Sequence, residues 1–160
     1  MKKHISIACI AAAVAAVEAN AEKYTPTDLR VMAAGCLVAD GNPHDIPADV
    51  VVAFAMKESS GRNLKPYQDG EEQAWGIYAF HESRWQEGGG KASEWGKASA
   101  LRQTQVMVNC LNRYMASAKR NRAKSRIAWA ANYHNRGHGS DTVTPYVRQL
   151  TAILKDIGQN

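Results

Sequence analysis

The sequence predicts an α+β fold that is mostly helical, with one small β-hairpin between the second helix and those that follow. Three observations lead there. Apolar residues recur at three- and four-residue spacings through most of the chain, as helices with one buried face require. Residues 62–80, "RNLKPYQDGEEQAWGIYAF", break that spacing with Pro66, an Asp69-Gly70 pair and Gly76 set among aromatics, and read as a loop or hairpin. No internal repeat and no long linker divides the 160 residues, so a single domain accounts for them.

The elements follow in order. Residues 1–21 read as a cleaved signal peptide: a basic "MKKH", an apolar "ISIACIAAAVAAV", and small residues Ala19 and Ala21 at the cut. That apolar run is too short for a comfortable membrane span. Ser6, three residues before Cys9, replaces the aliphatic residue that lipid attachment prefers. The domain is then 22–160, exported to the periplasm or beyond, with no membrane span once the leader is cut. "TPTDLRVMAAGCLVADGN" is a first helix with capping residues ahead and Gly41-Asn42-Pro43 as its stop. "DIPADVVVAFAMKESSG" is a second, with Pro47 near its start and Gly61 just past its end. Its interior is apolar on nearly every side, so it should be central. "HESRWQ" is a single helical turn, and "EGGGKASEWG" reads as a mobile loop because three adjacent glycines leave the backbone free. A long helix is expected from Lys97 to about Arg120, a short one in "SRIAWAANYH" and a terminal one in "DTVTPYVRQLTAILKDIG".

With the leader gone, Cys36 and Cys110 remain. An even pair in an oxidising compartment reads as one disulfide, worth about 3–5 kcal/mol for so long a loop; two buried free thiols are the alternative. The net charge of +5 suits an anionic polymer or membrane surface. No zinc-finger spacing, aromatic strand motif or arginine-rich reading helix points to nucleic acid.

Glu58 is the residue that asks for chemistry. It closes an apolar helix, where the negative end of the dipole and desolvation both disfavour a carboxylate. Such a carboxyl holds its proton to high pH, as a general acid for a poor leaving group such as a glycosidic oxygen must.

The pattern around it resembles a known family. "AFAMKESSGRN" is similar to the Glu-Ser motif of the soluble lytic transglycosylases. "WGIYAF" resembles their Gly-Leu-Met-Gln segment, "AWAANYHNRGHG" their Ala-Tyr-Asn-x-Gly segment, and "PYVRQL" their closing Tyr-Val motif. The small size looks most like the specialised members that accompany secretion, pilus and conjugation machines. The resemblance implies a lysozyme-like fold that cleaves the MurNAc–GlcNAc β-1,4 bond of peptidoglycan as a monomer without a cofactor, leaving a 1,6-anhydro end. It implies that Glu58 acts as acid and then base, and that Ser59 orients it or the substrate. Tyr133 lies near the acid and Tyr146 supports it. Either His134 or Asn135 holds the family asparagine's place. Gly76 lets the substrate approach the backbone, and Tyr78 stacks on a sugar. Ala79 departs from the pattern, standing where the family has a glutamine. Glycan strands are the expected partner, with components of such a machine beside them.

Two other readings accompany this one. A hydrolytic muramidase would want a second carboxylate, and Asp69, Glu71 and Glu72 are at hand, although an acidic turn is commonly just solvated. A non-catalytic wall-binding protein is favoured by Ala79. Among the remaining features, Trp75, Trp85 and Trp95 either pack or line a sugar groove, and Trp129 belongs to the core. His134 and His138 have a metal-like spacing broken by Gly137. "KRNRAKSR", 119–126, reads as a solvated helix end.

Overall fold

A computed structural model describes residues 21–158. The expected leader, bar Ala21 at its boundary, lies outside the described residues. The chain runs β1 (Glu22–Lys23), α1 (Pro26–Ala39), α2 (Ala48–Ser59), β2 (Arg62–Asp69), β3 (Glu72–Gly76), β4 (Phe80–His81) and α3 (Glu82–Glu87). A 3-10 turn (Ala92–Glu94), α4 (Ala100–Arg120), α5 (Arg126–Arg136) and α6 (Pro145–Ile157) complete it. The protein is therefore α+β and mostly helical, with a small antiparallel sheet ordered β1-β2-β3-β4. Among the described residues no helix is long and apolar enough to cross a membrane.

The helices begin where side chains can cap them. Thr25 accepts from the Asp28 amide while Asp28 reaches back to the Thr25 amide, a closed capping box. Ser99, Ser125 and Thr144 cap α4, α5 and α6 in the simpler way. Helix α2 runs through the core, with Val50 to Ala55 all buried, and packs against α1 and α6. Its end needs two successive left-handed residues, Ser60 (φ 56°) and Gly61 (φ 78°). A Cβ on Gly61 would lie 2.5 Å from the Tyr24 carbonyl oxygen, and Tyr24 donates its amide to the Gly61 carbonyl at 2.9 Å. The first described strand is thus tied directly behind the end of α2.

The hairpin forms about Gly70, left-handed at φ 62°, with Asp69 paired to Glu72. Pro66 falls in the register shift between Leu64 and Tyr67, where its missing N–H costs no ladder bond. The sheet is larger than the sequence suggested, because β1 and β4 pair along its two flanks. Two-residue strands carry too little pattern to be read in advance.

The triple glycine is not a mobile loop. A Cβ on Gly88 would lie 2.6 Å from Val106, and one on Gly90 2.2 Å from the Trp85 ring. The segment is a strap pressed onto α4, and glycine is there for clearance. Trp85 is fully buried, with its Nε1 donating to the Lys91 carbonyl at 2.7 Å and Trp75 and Phe80 edge-on around it. Trp75 and Trp85 are therefore core residues and not groove lining. Trp95 and Trp129 are half-buried.

The expected Cys36–Cys110 disulfide is absent: both are buried free thiols. Cys36 Sγ lies 3.9 Å from the Leu101 carbonyl and Cys110 Sγ 3.6 Å from that of Arg84. Leu101 and Cys110 are nine residues apart on α4, which puts them on opposite faces and about 13 Å apart along the axis. Two thiols so placed are out of disulfide reach.

Two outcomes follow. Gly90→Ala, which adds one methyl at a backbone angle alanine accepts, should cost about 1–3 kcal/mol by overpacking, read as a lower urea midpoint. In unfolded, unreduced protein Cys36 and Cys110 should both take up iodoacetamide; a bridged pair would take up none.

Candidate active site

Glu58 sits in the last turn of α2, at the floor of a cleft of about 490 Å³. The cleft's walls come from the hairpin (Tyr67, Asp69, Glu72), from Ala79 and His81, from Ser83 and Arg84 of α3, and from the last turn of α5. The Glu58 side chain keeps 17% of its exposure, so it is desolvated yet reachable. Burial is the main cause that pushes its pKa up, and the nearby Asp69 charge adds to it. The Tyr146 hydroxyl, Lys57 and His81 pull the other way.

Tyr146, on the first turn of α6, donates its hydroxyl to Glu58 Oε1, and Lys57 Nζ stands 4.8 Å from the Tyr146 ring centre. With Oε1 accepting from Tyr146, Oε2 is the oxygen left to carry the proton when the carboxyl is protonated. His134 Nε2 approaches the same Oε1 at 3.7 Å. This contact is not an ion pair. Burial, then the Arg84 and His81 charges, push His134 down to about 3, so its ring is neutral at physiological pH. Phe54, one helical turn before Glu58, meets the His134 ring edge-on at 5.2 Å and holds it there. His134 Nδ1 is buried beside the Tyr78 backbone, outside hydrogen-bonding geometry.

The structure settles which residue of the "NYHNRG" stretch faces the acid. His134 stands beside Glu58, Asn135 lines the cleft from an exposed position, and Tyr133 does neither. Tyr133 stacks on Tyr114, ring centres 4.6 Å apart, and its carbonyl accepts from Arg84 at 3.0 Å. The two neighbours diverge because successive helical residues point about 100° apart.

Three other expectations are corrected. Ser59 is buried and turned away from Glu58: its hydroxyl donates to the Ile77 carbonyl at 2.7 Å, with the Ala55 carbonyl at 3.2 Å. Gly76 gives close approach to Gln103 and not to a substrate, because a Cβ there would lie 2.2 Å from Gln103 Oε1. Tyr78 is fully buried, its hydroxyl 3.1 Å from Thr104 Oγ1, and has no face to offer a sugar. Ala79 does reach the cleft, in the left-handed conformation at φ 48°.

Residues beyond the motif complete the site. Asp69 and Glu72, read from sequence as an available partner or a solvated turn, both face the cleft, while Glu71 does not line it. His81 lies between those two carboxylates. Its only sequence signal was that of a lone histidine. Among the described residues no three His, Cys, Asp or Glu side chains converge as a metal site. The chain matches no protein-family model, no curated protein and no solved structure.

The raised Glu58 carboxyl has a measurable consequence. The folded state binds this proton more tightly than the unfolded state, so the native protein loses stability as pH rises from the ordinary glutamate value through the raised one. Glu58→Gln has no proton to lose and keeps an oxygen for Tyr146. Its stability advantage, measured by urea unfolding at several pH values, should be least in acid, open across that window and stay level above it.

Proposed function

We propose that this protein is a lytic transglycosylase of lysozyme-like fold, which cleaves MurNAc-β-1,4-GlcNAc bonds of peptidoglycan and leaves a 1,6-anhydro end. The observation that carries the reading is the environment of Glu58: a desolvated carboxyl at the end of a core helix, open to a cleft and steadied by Tyr146. Glu58 passes its proton to the glycosidic oxygen as that oxygen leaves C1. The resulting carboxylate then takes the proton of the sugar's C6 hydroxyl as its oxygen closes onto C1. Tyr146 stabilises the charge at Oε1 during the interval between these two transfers. The setting we propose is the periplasm, and the purpose is local opening of the wall for an envelope-spanning machine. The small single-domain layout and the resemblance to the specialised transglycosylases support that purpose.

Asp69 and Glu72 favour a second reading, a hydrolytic muramidase, because they put carboxylates on the wall across from the acid. There a water adds to C1, gives its proton to a carboxylate, and leaves a reducing end.

Digestion of purified sacculi separates the readings. Mass spectrometry should find muropeptides lighter by one water than reducing-end products, and Glu58→Gln should cut their rate by about 10²–10⁴. Reducing ends that vanish in both Glu58→Gln and Asp69→Asn would establish the hydrolase instead. Folded protein that releases no soluble product would overturn both.

A further inference from the structure

We propose that His81 is a positioning residue: its ring clamps Asp69 on one nitrogen and Glu72 on the other, and so fixes Asp69 as the second carboxylate facing Glu58 across the cleft. The inference rests on the reading of Glu58 above for its catalytic meaning, although the clamp itself does not.

Three strands meet at this ring. Asp69 ends β2, Glu72 begins β3 and His81 ends β4. Nε2 of His81 is 3.1 Å from Asp69 Oδ2 and Nδ1 is 2.7 Å from Glu72 Oε2. The second approach is out of line for a hydrogen bond, so it is a contact of proximity and not of direction. Asp69 and Glu72 are also directly opposite each other in the hairpin register. Like charges so placed destabilise a ladder, and a two-residue turn with both flanking side chains more than half exposed has little else to fix it. A ring on the third strand that reaches both carboxylates stands between them and anchors both at once. The donors point at opposite edges of one ring and diverge from any common centre, which makes this a clamp and not a metal site.

The clamp bears on Glu58 in two opposed ways. Asp69's charge raises the Glu58 proton affinity, and His81's charge lowers it. The other groups around His81 are Arg84 on α3, His134 on α5 and Glu58 itself on α2, all lining the same cleft. If His81 acts only as a charge, its removal must strengthen proton binding at Glu58. If it also positions Asp69, its removal frees Asp69 to leave the cleft, and that loss works the other way.

A cycle of substitutions reads the difference without any substrate. Carbon-13 NMR of glutamate-labelled protein follows the Glu58 carboxyl, assigned by its absence in Glu58→Gln, through a pH titration. His81→Gln is made in the native protein and again in Asp69→Asn. In Asp69→Asn it removes only the ring's own electrostatic effect on Glu58, and the Glu58 midpoint rises. In the native protein it should rise less, or fall, with the two responses differing by at least about 0.3 pH unit, twofold in proton affinity. Equal responses, or a larger rise in the native protein, overturn the proposal. Should His81→Gln fail to fold by circular dichroism, His81→Asn enters the same cycle. The result stands apart from glycan cleavage: inactivity on sacculi leaves the clamp intact, and a null cycle leaves the cleavage reading intact.

Discussion

The backbone of Ile77 is the point on which the site depends. Its N–H donates to Gln103 Oε1 from α4 at 2.8 Å, and its carbonyl accepts from Ser59 on α2 at 2.7 Å. Gln103 is fully buried and fully engaged, since its Nε2 gives its two hydrogens to Asn63 Oδ1 and the Ala98 carbonyl. Removing either side-chain partner would strand a buried polar group, at a cost of about 1–3 kcal/mol. Through this one residue the link between β3 and β4 is fastened to two helices. Ser59 is the neighbour of Glu58 in the chain, so this bond ties the end of α2 to the segment that follows β3. Gly76 belongs to the arrangement because any Cβ there would occupy the space Gln103 needs.

Around that tie the cleft sorts its charges by solvent. Glu58 and His134, the two groups with least water, both favour their neutral forms, one by keeping a proton and the other by refusing it. Asp69, Glu72 and His81 remain wetter and stand close together. Arg84, also on the wall, is engaged by Glu87 and by the Tyr133 carbonyl. A carboxyl that burial pushes up therefore faces a polar, partly hydrated rim, the asymmetry that the acid-assisted cleavage we propose calls for.

Much of the fold was legible in the sequence because helices announce themselves locally. Thr25 with Asp28, the apolar body of α2 and the Asp69-Gly70 turn each act within a few residues. The desolvated setting of Glu58 could be read for the same reason, from a helix end and an apolar run. What could not be read was direction. Ser59, Gly76 and Tyr78 lie in motif order, yet each turns inward: Ser59 by its phase in α2, and Gly76 and Tyr78 in a stretch where the backbone reverses hand at Gly76 and again at Ala79. The order of residues through such a turn does not say which face each presents. The glycine strap failed for a related reason: its freedom in isolation is cancelled by Val106 and Trp85, which arrive from elsewhere in the chain. The two cysteines were paired by count, and only the helical phase of α4 shows that they face apart.

The bond between Tyr146 and Glu58 spans 88 residues. Contacts so distant in sequence carry a large loop-closure cost and belong among the later ones a chain makes. The acid thus receives its donor only when α6 docks against α2, after the sheet and the long helix have somewhere to stand. A chain still emerging from the ribosome, or halted before residue 146, contains Glu58 but not the environment that makes it an acid. The cleavage we propose is thereby tied to completion of the last helix, and order of assembly becomes a form of restraint.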